Sequence, residues 1–178
     1  MKLLLTFLLG AALAWPQIIV LPKKKAASGP SFVNNSTPVG SPNSTTLVLT
    51  PPSSIVDGNM LFAGISMNQA TSSITPPSGW TACSSKAASG QSVATYYKIA
   101  SSESGNYTFT FGSAQWSSGV IVQFSGSAAV PDVCGTVAQG TGTTATATSI
   151  TTTGSSGILV FFAGSDGSGS VGIPSDWT

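Results

Sequence analysis

From Ser31 onward, apolar residues recur at every second position and not at helical spacing. Tyr107-Thr108-Phe109-Thr110-Phe111 sets three aromatics on one side and two threonines on the other, as a half-buried strand requires. Ser92 to Ala100 alternates Val93, Thr95, Tyr97 and Ile99 against Ala94, Tyr96 and Lys98. Ser118 to Phe124 carries Val120, Val122 and Phe124 on one face, and Thr45 to Thr50 is β-branched and apolar. Met60 to Met67 and Ile158 to Ala163 are near-continuous apolar runs, which suits strands covered on both faces. Thr141 to Thr153 is a threonine-rich stretch whose Thr/Ala alternation fits a polar edge strand.

Turn signals separate these runs: Pro51-Pro52, Asp57-Gly58, Pro76-Pro77, Ser78-Gly79, Ser89-Gly90, Ser104-Gly105, Pro131-Asp132 and Asp166-Gly167. Short strands with such regular punctuation predict an all-β, antiparallel sandwich or barrel. An internal echo sharpens this. Leu61-Phe62-Ala63-Gly64 and Pro77-Ser78-Gly79-Trp80-Thr81 return as Phe161-Phe162-Ala163-Gly164 and Pro174-Ser175-Asp176-Trp177-Thr178. The repeat (58–81 and 157–178) is too widely spaced for a solenoid. It fits two halves of one pseudo-symmetric sandwich, or two tandem domains. The second copy stops directly after its Trp, so the strands that follow the first copy have no counterpart. The expectation is a sandwich truncated at the C-terminus, or a short second half that borrows strands from a neighbour.

Residues 1–14 read as a secretory signal. Lys2 is the positive start, Leu3 to Leu13 the apolar core, and Ala12-Leu13-Ala14 a small-x-small cleavage pattern. The competing reading is an uncleaved anchor. Leu3 to Leu21 is just long enough to span a bilayer as helix, with Pro16 inside it and Lys23-Lys24-Lys25 after it. Residues 15–30 are expected to be linker, and 31–178 the β-sandwich domain.

Composition then removes function classes. Charged residues make up 6% of the 178, against about 25% in an ordinary soluble domain. There are six Lys, no Arg, no His, five acids and a net charge of +1, with Ser, Thr, Gly and Pro in place of charge. No basic footprint for a nucleic-acid backbone exists. Without His and with two Cys, zinc-type metal sites lack ligands. Charge this low suits an assembly or an extracellular setting.

The string Ile55-Val56-Asp57-Gly58-Asn59-Met60-Leu61-Phe62-Ala63-Gly64, then Thr75-Pro76-Pro77-Ser78-Gly79-Trp80-Thr81, Tyr96-Tyr97-Lys98-Ile99-Ala100 and Tyr107-Thr108-Phe109-Thr110-Phe111, resembles a recurrent all-β domain. That domain occurs in tailed-phage virion proteins and secreted bacterial proteins. The resemblance covers about residues 31–178. It implies a jelly-roll-like sandwich with a structural or adhesive role, and carries no catalytic residues to transfer. The chain departs from the pattern in its leader, its two Cys and its early end. The leader points to the secreted cellular branch.

Few residues offer chemistry. Asp57, Glu103, Asp132, Asp166 and Asp176 sit mostly beside Gly, Pro or Ser, where an acid caps its own backbone. Glycoside hydrolysis needs two of them face to face, and a serine nucleophile lacks a histidine base. Asp166-Gly167-Ser168-Gly169-Ser170 lacks the spaced acids of a calcium loop. Cys83 and Cys134 are either one disulfide or two separate buried thiols. Trp80 and Trp177 recur beside the Pro-Ser corner and read as core. Trp116, in the polar turn expected over Ser113 to Ser117, and Tyr96, sharing a face with Lys98, are the candidates for exposed ligand contact. Asn34, Asn35, Asn43 and Asn106 open glycosylation sequons of the kind such Ser/Thr content produces by chance.

The expected function is a non-catalytic secreted or virion-associated structural or adhesion module, with no cofactor. The alternative is a carbohydrate-binding module. Expected partners are other protein subunits or a cell-surface or glycan ligand, not nucleic acid, and a membrane only if the N-terminal segment stays uncleaved.

Overall fold

The alternation becomes nine β-strands in the computed structural model, with no helix among the described residues. Those residues are 17–23, 29–68, 73–88, 90–138, 147–154 and 156–165, with backbone alone for 17–23 and 86–88. The strands are β1 (Gln17–Lys23), β2 (Ser31–Asn35), β3 (Val39–Leu49), β4 (Met60–Met67), β5 (Ile74–Thr75), β6 (Thr81–Ala88), β7 (Gln91–Ile99), β8 (Tyr107–Ser125) and β9 (Leu159–Ser165). Residues 1–14, Asp166, Asp176 and Trp177 lie outside the described set.

Every pairing is antiparallel. The main sheet runs β2-β8-β4-β7-β6, and β3 and β5 also pair with β8. β8 is 19 residues long and serves two layers. Its C-terminal half pairs with β4 from Ser117 to Phe124. Its N-terminal half pairs with Thr46–Leu49 of β3 and with β5. Between the halves, the β3–β8 register shifts twice, around Asn43, which takes a φ of 37°. Bulges of this kind bend a strand and let it change layers. The Ser113-to-Ser117 stretch expected as a turn is therefore the interior of β8, and Trp116 sits on a strand.

The two layers close over one core. Leu47, Leu49, Tyr107, Phe109 and Phe111 from the bent-over layer meet Leu61, Ala63, Ile65, Ala94, Tyr96 and Ile121 of the main sheet. Each large side chain buried this way contributes about 1.5–3 kcal/mol. The layers pack tightly at Gly119, where a Cβ would lie 2.9 Å from Leu47 Cδ2 and 3.1 Å from Leu49 Cδ2. A strand glycine here is a packing requirement. The predicted double coverage of Met60 to Met67 follows: seven of eight β4 residues are buried.

The second face of the main sheet is covered by the β1–β9 ribbon, with β1 over β8 and β4, and β9 over β4 and β7. Phe62 of β4 stacks on Phe162 of β9, with centroids 5.7 Å apart and planes at 17°. Strand β1 falls inside the stretch expected to be linker. Ile18-Ile19-Val20-Leu21 is β-branched enough to take a strand once β9 supplies a partner.

Candidate functional site

Three places gather the polar and aromatic side chains. The first is the corner where β7 ends and β8 begins. The turn Pro77-Ser78-Gly79-Trp80 closes with Trp80 N–H donating to the Pro77 carbonyl at 3.3 Å, and Gly79 takes a φ of 83° that a side chain would strain. This drops Trp80 into the core, edge-on to Tyr107 at 5.1 Å and to Phe109 at 5.7 Å. Beside it, Lys98 pairs with Glu103 at 2.7 Å, their side chains only 14% and 8% exposed. Glu103 also accepts from Tyr107 Oη at 2.6 Å and from Ser101 N–H at 3.0 Å. Lys98 Nζ lies 5.5 Å from the centre of the Tyr107 ring.

Burial pushes the Glu103 carboxyl up, but the hydrogen bonds from Lys98, Tyr107 and Ser101, with the Lys98 charge, outweigh it and hold the group below its ordinary value. Burial first, and then the bond to Glu103, push the Tyr107 phenol well above its ordinary range. This arrangement fixes an ionised pair against an un-ionised phenol. It stores no proton for transfer near neutral pH, and it latches the β7–β8 connection. Next to it, Asp57 accepts from Ser102 N–H at 2.7 Å, tying the β3–β4 loop to the same corner.

The second place is a buried amide at the sheet end near β2. Gln123 is fully buried on the core face of β8. Its Oε1 accepts from Val56 N–H at 2.9 Å and Asn59 Nδ2 at 3.0 Å, and its Nε2 donates to Asn34 Oδ1 at 2.8 Å. Asn34 Nδ2 donates to the Ser53 carbonyl. One glutamine thereby organises the loop from Ser53 to Asn59, at a site where burial without partners costs about 1–3 kcal/mol.

The third is the disulfide between Cys83 and Cys134, with Cα atoms 5.2 Å apart. Cys83 is the extra residue where the β6–β7 register shifts between Ala82 and Ser84. A bulged residue is freed from the ladder and re-aimed. Here it reaches the segment after β8 and clips it to the edge strand of the main sheet. Further along, Asp132 accepts from Thr153 N–H at 2.8 Å and from its hydroxyl, and these bonds hold Asp132 below its ordinary value.

The two candidate ligand aromatics do not meet. Tyr96 is buried, with its ring 5.4 Å from Phe109 and its phenol pushed up by burial. Its cross-strand neighbours are Ala63 and Ala82, whose small side chains leave room for the ring to lie in the core. Lys98 shares its face but sits at the strand's end, where the ammonium reaches Glu103. Trp116 is 39% exposed, on the opposite face of the main sheet from that core. The latch around Glu103 and the Gln123 hub were missed in the sequence. The only available signal was a lone Lys five residues before a lone Glu in a charge-poor chain.

Among the described residues no group of three or more Cys, Asp or Glu gathers to hold a metal, and no helix is long and apolar enough to cross a membrane. No protein-family model, curated protein or solved structure matches the chain.

Proposed function

We propose that the chain is a non-catalytic structural and adhesive β-sandwich, secreted or carried on a virion, that works by surface contact. The observation carrying this reading is where the carboxylates go. Asp57 is bonded to Ser102, Glu103 to Lys98, Tyr107 and Ser101, and Asp132 to Thr153. Each described acid is engaged in hydrogen bonds that hold a loop in place. The Cys83–Cys134 bond is compatible with an oxidising compartment. The surface is rich in hydroxyls, which bind neighbours through many weak, neutral hydrogen bonds.

The test is retention of purified protein on bacterial cell envelopes, with the envelope polymers analysed before and after by mass spectrometry. Saturable retention with unchanged polymers is the expected result. New cleavage products would overturn the reading. A second reading, a carbohydrate-binding module, draws on the exposed indole of Trp116 alone. A glycan array separates the two: sugar binding lost in Trp116→Ala favours the second, and an array without binders removes it.

A further inference from the structure

The chain between β8 and β9 leaves the sandwich and returns to it at one place. At its start Gly126 takes a φ of 67°, and a Cβ there would lie 3.6 Å from the Gly29 carbonyl oxygen. At its end, a Cβ on Gly29 would lie 3.0 Å from Cβ of Ser156. Between these points two limbs run side by side. Asp132 accepts from the N–H and the hydroxyl of Thr153. A Cβ on Gly135 would lie 3.0 Å from Ile150 Cγ2, and the hydroxyls of Thr136 and Thr148 meet at 2.8 Å. Positions 132, 135 and 136 thus face 153, 150 and 148, the register of an antiparallel arm.

Both ends of this arm sit beside the start of β2, yet Cys134 is bonded to Cys83 of β6. β2 and β6 are the two ends of the strand order β2-β8-β4-β7-β6. The arm therefore reaches across the sheet, and the disulfide fixes its far part. Burial adds little. None of the described residues from Gly126 to Gly157 is buried; Pro131, Val133 and Val137 are half-buried, and Asp132, Cys134 and Thr136 between them are exposed. The side-chain hydrogen bonds of the arm's described residues run within the arm. Exposed neutral bonds of this kind exchange almost evenly with water. The sandwich, in turn, does not need the arm: the buried residues of its core all lie between Leu47 and Ile121, and Cys83 is not among them. Cys134 is exposed and Cys83 half-buried, so a thiolate can reach the bond in the folded protein.

We infer that the Cys83–Cys134 disulfide is a redox latch, opened by a dithiol in the folded protein, and that its opening frees the arm while the sandwich stays closed. One thiolate of the dithiol attacks Sγ of Cys134, the S–S bond breaks, and Cys83 leaves as a thiolate. The second sulfur of the dithiol then displaces Cys134 and closes the reagent's own disulfide. Two electrons pass from dithiol to protein, and the two protein thiolates take up two protons. The latch operates whatever surface the sandwich touches.

The test uses the whole oxidised chain, isotope-labelled and treated with dithiothreitol at neutral pH without denaturant. Alkylation and mass measurement are expected to find two thiols per chain. Amide order parameters of Val133, Thr136, Thr148 and Thr153 are expected to fall from about 0.85 to below about 0.6, with those of β4 and β8 unchanged. Reoxidation should restore the first values. The double variant Cys83→Ser with Cys134→Ser should show the loose arm without reductant and should not respond to it. A bond that opens only in urea, arm order that survives reduction, or order lost from β4 and β8 together with the arm would each overturn the inference.

Discussion

Replacing Glu103 by Gln keeps the shape of the corner latch and removes its charge. In the native corner the carboxylate accepts from Lys98, Tyr107 Oη and Ser101 N–H. The amide nitrogen of Gln cannot accept, so at least one of the donors meeting Oε2 loses its partner, and Lys98 is left charged with 14% of its side chain exposed. Charge-assisted hydrogen bonds contribute about 1.5–3 kcal/mol each. Because Lys98 sits at a strand end and can swing toward water, the loss stays below the figure for a fully buried pair, and about 2 kcal/mol is expected. The assay is urea unfolding followed by tryptophan fluorescence, since Trp80 lies 5.1 Å from Tyr107. The pH dependence carries the sharper test. The folded-state value of Glu103 lies below its ordinary 4.5. The stabilisation is therefore fully present above that value, and is lost as pH falls through the lower folded value. The difference between wild type and Glu103→Gln should shrink steadily in that acid range. An identical denaturation midpoint for the two proteins near neutral pH, or a gap that persists unchanged in acid, would refute the latch.

Other perturbations probe the remaining parts. Tyr107→Phe should cost about 1 kcal/mol near neutral pH and remove part of the alkaline destabilisation, since a phenol held above its ordinary 10.0 loses its stabilising effect as pH rises past that value; urea midpoints against pH read both. Cys83→Ser with Cys134→Ser opens a loop with a sequence separation of 51. It should lower unfolding free energy by about 4 kcal/mol in the chain-entropy picture, measured against the oxidised protein. Gly119→Ala pushes a methyl into Leu47 and Leu49 and should cost about 1–3 kcal/mol. Combining it with Leu47→Ala should cost less than the sum of the two, and strict additivity would refute the two-layer contact.

The period-two rhythm made the strands legible because each strand has faces of different environment. Tyr107 to Phe111 and Met60 to Met67 stand where the sequence places them. The Pro-Ser-Gly-Trp corner was equally readable, since Gly79 and Trp80 have one local job each. Tyr96 misled because alternation assigns a face without saying which face is inside, and its alanine neighbours decide that. Trp116 misled because Ser, Ala and Gln around it look like a turn, whereas bulges opposite them in β3 keep β8 continuous. Gln123 was invisible: its partners come from positions 34, 54, 56 and 59, and only the fold brings them together. Strand β1 was hidden because its partner β9 lies far along the chain.

The claim underlying the account is that this chain acts by touching and not by transforming. Incubating the purified, oxidised protein with bacterial envelopes and weighing bound protein against released fragments tests it in one measurement. The account predicts protein that binds to a plateau while the polymers keep their mass. Fragments that accumulate with time, with little protein held, would contradict it.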